Sequence, residues 1–209
     1  MDAETMVQRW PFEVGKGPFR IKGTALKGAI QRLDTSVPGG LKVLLQAVAN
    51  PALERLVTAQ VLPSSMYDCY ALALLNYHAS RLLGRSLADH VRDSATAQFN
   101  ADLNGIYKAV LRIVSARTAI ERVTRVIGSY YDFAPATLRQ VSDRGAELAR
   151  AGFPELLTPW WGPVAEGYAV AALAATGAKN IRYTLVADPT HNKAHGVALV
   201  DMRMTVTWE

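Results

Sequence analysis

The run 197–208 constrains the fold more than any other part of the chain. Ala198, Val200, Met202, Met204, Val206 and Trp208 alternate there with Val197, Leu199, Asp201, Arg203, Thr205 and Thr207. Successive strand side chains point to opposite faces, so this is a long strand with one apolar and one more polar face. Upstream, Ile181, Tyr183 and Leu185 alternate with Arg182 and Thr184, which predicts a second strand. The polar segment DPTHNKAHG (188–196) lies between them. A long hairpin is the simplest arrangement, because an antiparallel return needs no crossover helix. A half-apolar sheet needs a cover, and the preceding residues supply one. From Val164, the residues Tyr168, Ala171, Ala172 and Ala175 recur at helical spacing among small side chains that allow close approach. Gly177 is placed for a left-handed C-cap, so this helix is expected to stop at about Thr176.

The chain before this region reads as helices. Residues 1–18 form an irregular arm that carries Trp10 and Phe12 and is expected to dock on the body formed by 19–209. Short helices are predicted over 21–34, 41–48 and 53–57, punctuated by Pro38-Gly39-Gly40, Pro51 and Pro63. A long buried helix over 66–83 follows, capped by Ser64 or Ser65 and stopped by Gly84. Ser86 with Asp89 opens another helix towards Phe99, and helical patterns cover 106–114 and 119–130. After Asp132 the pattern changes: 136–142 alternates as a strand, 143–145 is a turn, and the continuation to 151 is strand or helix. The order predicts a single α+β domain, with an N-terminal helical portion followed by an antiparallel sheet packed on a long helix.

With 209 residues, half of them hydrophobic and 20% charged, the chain can bury a sizeable core. The single cysteine, Cys69, excludes an intramolecular disulfide and a thiolate metal cluster, and points to a reducing compartment. The N-terminus lacks the apolar core of a secretory signal and no stretch is long enough to span a membrane, so a soluble cytoplasmic protein is expected. The net charge of +5 is spread among acids rather than clustered, which argues against nucleic acid as the partner.

No catalytic motif stands on its own. Ser64, Ser65, Asp68 and Cys69 precede a helix without a nucleophile elbow, and capping and burial account for them. Arg112, Arg117, Arg122 and Arg125 read as a solvated helix face, and Asp132 and Glu166 as isolated acids. Asp188, His191 and His195 are weak candidates for a metal, because Pro189, Asn192 and Gly196 argue for a loop in which a His-x-x-x-His pair shares no face. Trp160-Trp161 is the most unusual local feature. Adjacent tryptophans at a helix start are not expected to face one core together, so two readings stand: one is exposed at an interface or in a ligand pocket, with Tyr130, Tyr131 and Tyr168 nearby, or the pair plugs the helix–sheet seam with Phe153.

FRIKGTALKGAI (19–30), LPSSMYD (62–68), the stretch 107–131, and Gly167 followed by GAKNIRYTLV (177–186) resemble a myxobacterial family, domain of unknown function 2378. The element order is similar to the fold shared by H-NOX haem sensors, vinyl-4-reductase domains and TRAPP subunits. The resemblance implies a sensory or interaction domain, often dimeric, and no reaction. H-NOX sensors hold haem through a mid-chain helix histidine and a Tyr-x-Ser-x-Arg triplet. This chain has only His78 and His90 mid-chain, none near Tyr130, and lacks the triplet. Its final hairpin also lacks the cysteines found in vinyl-4-reductase domains. The expectation is therefore a non-enzymatic module without a cofactor, binding a small apolar ligand between helices and sheet or a protein partner, and signalling through a homodimer. The alternative is a haem- or metal-binding gas or redox sensor.

Overall fold

Residues 1–104 and 115–209 are described in the structure, a computed structural model. The helix expected over 106–114, with Arg112 and part of the 107–131 stretch, lies outside the described residues. The N-terminal arm departs from expectation by opening with helix α1 (Ala3–Arg9). Asp2 caps it, its carboxylate accepting the Thr5 N–H at 2.7 Å, and Met6 is buried beneath it. The rest of the arm lies against Asp68 and Tyr70. The Trp10 ring stacks on Tyr70 at 4.7 Å, and the Gly15 and Gly17 N–H groups donate to the buried Asp68 carboxylate.

Short strands β1 (Arg20–Lys22) and β2 (Met66–Asp68) pair antiparallel, and between them run α2 (Gly23–Ser36), α3 (Gly40–Val48) and α4 (Pro51–Thr58). Because Ile21 pairs with Tyr67, the segment after Pro63 is extended, and α5 (Cys69–Leu82) starts later than the serines suggest. Its cap is Asp68, which accepts the Tyr70 N–H at 3.0 Å, not Ser64 or Ser65. Helix α6 (Leu87–Asn104) opens with the expected capping pair, in which Ser86 Oγ accepts the Asp89 N–H and donates to its carboxylate. Helix α7 (Ala116–Tyr130) follows, capped by Ser115.

The main sheet has antiparallel order β3 (Ala136–Val141), β4 (Gly145–Pro154), β6 (Val197–Thr207), β5 (Arg182–Ala194). The segment left open in sequence is strand β4. Tertiary pairing explains this: Ala146 opposes Val206 and Leu148 opposes Met204, with β3 on the other side. The hairpin is tighter than the polar connection suggests. Strand β5 runs on to Ala194 with an irregularity between Pro189 and Lys193, and the turn contracts to His195 and Gly196, at φ +52° and +81°. Pro189 is tolerated because β5 is an edge strand with no ladder to complete on its outer side.

Helix α8 (Thr158–Ala174) has the tryptophan pair in its first turn, as expected, and Pro159 suits that turn, where its missing N–H costs nothing. This helix is central. One side faces the sheet and α7, where Trp161, Ala165 and Ala169 line a small apolar gap together with Ile120, Met204 and Val206. The other side meets α6 at such close range that a Cβ on Gly167 would lie 2.3 Å from the Arg92 carbonyl oxygen. Thr96 Oγ1 donates to the Gly167 carbonyl across the same contact. Gly167→Ala is expected to force the two helices apart and cost about 2–3 kcal/mol. The melting temperature should fall by about 4–12 °C, and an unchanged melting curve would refute the close approach.

Candidate functional site

Where α2, α5, α6, α7 and α8 converge, their side chains leave a cavity of ≈ 60 Å³. Its wall is mainly apolar, with Ala25 and Ala29 from α2, Leu72 from α5, Ala95 from α6 and Val164 from α8. Tyr130, Tyr131, Trp160, Trp161 and Tyr168, all singled out from the sequence, border this one space. The fold thus gathers residues up to 38 positions apart, from Tyr130 to Tyr168.

Asp102 orders the cavity wall. It is 3% exposed, and its Oδ2 accepts the Tyr130 and Tyr168 hydroxyls at 2.7 Å each, while Oδ1 accepts Gln98 Nε2 at 2.9 Å. Hydrogen bonds to a charged group contribute about 1.5–3 kcal/mol each, enough to hold a carboxylate in an apolar setting. Arg32 borders the cavity as well. Burial pulls its guanidinium below the ordinary arginine range, and the Asp102 charge partly restores it. Asp102 was not singled out from sequence, yet it leaves a signal. Leu87, Val91, Ala95, Phe99 and Asp102 are the inward stripe of α6, so the acid sits where an apolar residue is due.

Trp160 and Trp161 are both 1% exposed, so neither faces outward, and the pair is buried as the seam-plugging reading has it. Adjacent helix positions diverge by about 100°, but α8 has core on both sides, so both directions are inward. Neither indole N–H has a hydrogen-bond partner among the described residues. The Tyr131 hydroxyl is near enough to feel the Trp161 N–H, but the pair does not meet hydrogen-bond geometry. Trp161 packs on Phe153 at 5.1 Å and Tyr131 at 6.4 Å, and the Arg150 guanidinium lies 4.6 Å over its ring.

Arg150, also missed from sequence, is 1% exposed. Its Nε donates to the Ala134 carbonyl and Nη2 to the Phe133 carbonyl, while Tyr131 and Phe153 complete an aromatic cage at 4.8 and 5.3 Å. Burial lowers its pKa to about 10, which leaves it charged at neutral pH. The strand period shows why it points inward: Arg150 shares a face with Ala146 and Leu148 once 145–154 is known to be a strand.

Elsewhere the structure separates residues that sequence had grouped. Asp188 pairs with Arg203 across the hairpin at 3.0 Å, and His195 sets its ring against Phe19. Among the described residues no three His, Cys, Asp or Glu side chains gather as metal ligands. Cys69 is fully buried, and burial together with the Asp68 charge pushes its thiol well above the ordinary range, far from a reactive thiolate.

No protein-family model matches the sequence, and no curated protein matches it. Solved structures do match along most of the chain. The Fe(II) unliganded H-NOX protein from K. algicida superposes with TM-score 0.60 at 10% identity, covering 90% of this chain and 97% of that one. A Cs H-NOX mutant carrying the unnatural amino acid 4-cyano-L-phenylalanine gives 0.55 at 11% identity, covering 90% and 97%. A structure from a study of haem distortion in the H-NOX family gives 0.59 at 12% identity, covering 90% and 95%. The fold is therefore α+β and H-NOX-like.

A haem does not fit the residues present. Among the described residues the cavity wall offers no imidazole, thiolate or thioether. Burial pushes the Tyr131 phenol far up, so it stays protonated and is a poor ligand, and the Tyr130 and Tyr168 hydroxyls are committed to Asp102. Both Trp160 and Trp161 stand in the space between helices and sheet, leaving ≈ 60 Å³.

Tyr168→Phe removes one charge-assisted bond to Asp102 and is expected to cost about 1.5–3 kcal/mol in urea unfolding. Combined with Tyr130→Phe the loss should be non-additive, because both hydroxyls share one acceptor oxygen; simple additivity would contradict the network. Stability should also depend on pH through His78 and His90, whose pKa values burial lowers first, with nearby arginines adding to it. Below the ordinary histidine value near 6.5 the unfolded chain protonates first, so stability is full above that pH and declines as pH falls towards the depressed folded values. Asp68, raised by burial, acts in the opposite sense, relieving its cost only at acid pH. The urea midpoint at about pH 5.5 should lie below that at about pH 7.5, and His90→Gln should narrow the gap.

Proposed function

We propose that this chain is a non-enzymatic sensory domain whose cavity binds a small, mostly apolar ligand and whose output is a shift between two arrangements of helices and sheet. The observation that carries the reading is the ≈ 60 Å³ cavity itself, apolar over most of its wall and lined by Trp160 and Trp161, whose buried indole N–H groups have no partner among the described residues. Buried polar groups are normally satisfied, and an unsatisfied one calls for a physical explanation, an absent bound molecule among them. Such a ligand acts only by binding one arrangement more tightly than the other. The route outward runs through Trp161 and Tyr131, which touch both the cavity and Arg150. Arg150 in turn holds the carbonyls of Phe133 and Ala134, in the connection from α7 to β3. Ala134 sits there at φ +44°, a left-handed conformation that costs free energy in a residue with a Cβ.

Signalling through a homodimer, a cytoplasmic location and kinship with the myxobacterial family of unknown function belong to the same proposal. They are supported by the sequence resemblance and by the sheet edge β5, where Val186 is 48% exposed. The H-NOX-like fold is compatible with a gas sensor, but the cavity wall described above favours a ligand held without haem.

Xenon is a suitable probe of an apolar cavity. Xenon pressure should perturb the Trp160 and Trp161 indole resonances of the wild-type protein, and Ala95→Leu should abolish the effect by filling the space. The same variant should keep or gain stability, by about 0.5–2 kcal/mol, as cavity-filling substitutions commonly do. A wild-type protein that takes up no xenon, or a variant that responds unchanged, would count against the cavity as the binding site.

A further inference from the structure

We infer that the ligand is a small uncharged molecule whose polar end is a hydrogen-bond acceptor, a carbonyl or ether oxygen, received by the indole N–H groups of Trp160 and Trp161. This rests on the cavity being the binding site and follows from tallying the polar groups around it. Asn76 Nδ2 donates to the Leu72 carbonyl at 2.8 Å, and Tyr130, Tyr168 and Gln98 Nε2 all donate to Asp102. The Asp102 contact requires the Gln98 amide nitrogen to face the carboxylate. Its Oε1 is then turned against α2, where a Cβ on Gly28 would meet it at 2.7 Å. Trp160 and Trp161 line the cavity and their buried N–H groups have no acceptor among the described residues, while the Ser94 and Tyr131 hydroxyls and the Arg32 guanidinium border it as further donors. The site therefore has donors to offer.

Charge is excluded from both sides. Arg32 lines the cavity and repels a cation, while the Asp102 carboxylate, set behind the Tyr130 and Tyr168 hydroxyls that line it, offsets the attraction of Arg32 for an anion and has its own oxygens taken by three donors. The volume of ≈ 60 Å³ limits the ligand to a few heavy atoms.

Acetone and isobutene have nearly the same shape and differ in C=O against C=CH₂. Their dissociation constants, and the indole ¹⁵N–¹H resonances, are to be measured on the full chain, with Trp160→Phe and Trp161→Phe giving the assignments. Acetone should move both indole resonances downfield and isobutene should not. Because acetone is the better hydrated of the two, the informative quantity is the acetone-to-isobutene affinity ratio. It should fall about tenfold when both indoles are replaced. Should the double variant fail to fold, the wild-type indole shifts still decide. Saturation by isobutene with indoles unmoved by acetone and an unchanged ratio would overturn the ligand class while leaving the cavity as a binding site. Saturation by neither probe, in a protein that also takes up no xenon, would overturn both.

Discussion

A carboxylate that is 3% exposed must be surrounded by donors, and much of the helical packing follows from that requirement at Asp102. Its donors come from α6 itself through Gln98, from the end of α7 through Tyr130, and from the middle of α8 through Tyr168. Apolar contacts tolerate sliding, but hydrogen bonds of 2.7 Å to one oxygen do not. The network therefore sets the register of three helices. It also places Tyr130 and Tyr168 as the polar side of an otherwise apolar cavity, and so couples the packing of the core to the chemistry of the site.

Arg150 presents the opposite charge and a different solution. No carboxylate meets it among the described residues; carbonyl oxygens at the α7–β3 connection take two of its donors and four aromatic rings surround the guanidinium. A weakly hydrated, planar cation suits such a cage, as an ammonium would not. Trp161 belongs both to the cage and to the ≈ 60 Å³ cavity, and it also borders a second apolar gap of ≈ 30 Å³ against the sheet. A helix with imperfectly filled space on both sides can shift at modest cost, because atoms that face a gap have little dispersion attraction to give up. Along α8, Tyr168 in the middle is tied to the Asp102 network, while Trp161 near the start meets the Arg150 cage and both gaps.

The likeness to H-NOX structures concerns the path of the chain. Identity of 10–12% to such structures is compatible with extensive change of the site. Here the space between helices and sheet is occupied by Trp160 and Trp161, two large side chains that could coexist with a small ligand but leave little room for a macrocycle. The same scaffold thus presents a donor-bearing apolar pocket.

Much of the fold was legible in the sequence because its signals are local. Alternation over 197–208 marked β6, alanine-rich periodicity marked α8, and Ser86-x-x-Asp89 marked the start of α6, since each depends on neighbours a few residues away. Local chemistry also carried the helix caps, except where pairing intervened: β2 took Met66–Asp68 and moved the cap of α5 from the serines to Asp68. What only the tertiary structure decided involves partners far apart in the chain. The strand at 145–154 is fixed by β3 and β6 on its two sides, and the burial of both tryptophans by core on both sides of α8. The conversion of Asp102 and Arg150 from unremarked charges into organising centres depends on residues contributed by other elements. Periodicity assigns a residue to a face; which groups meet it there depends on how distant elements pack, and that information is not local.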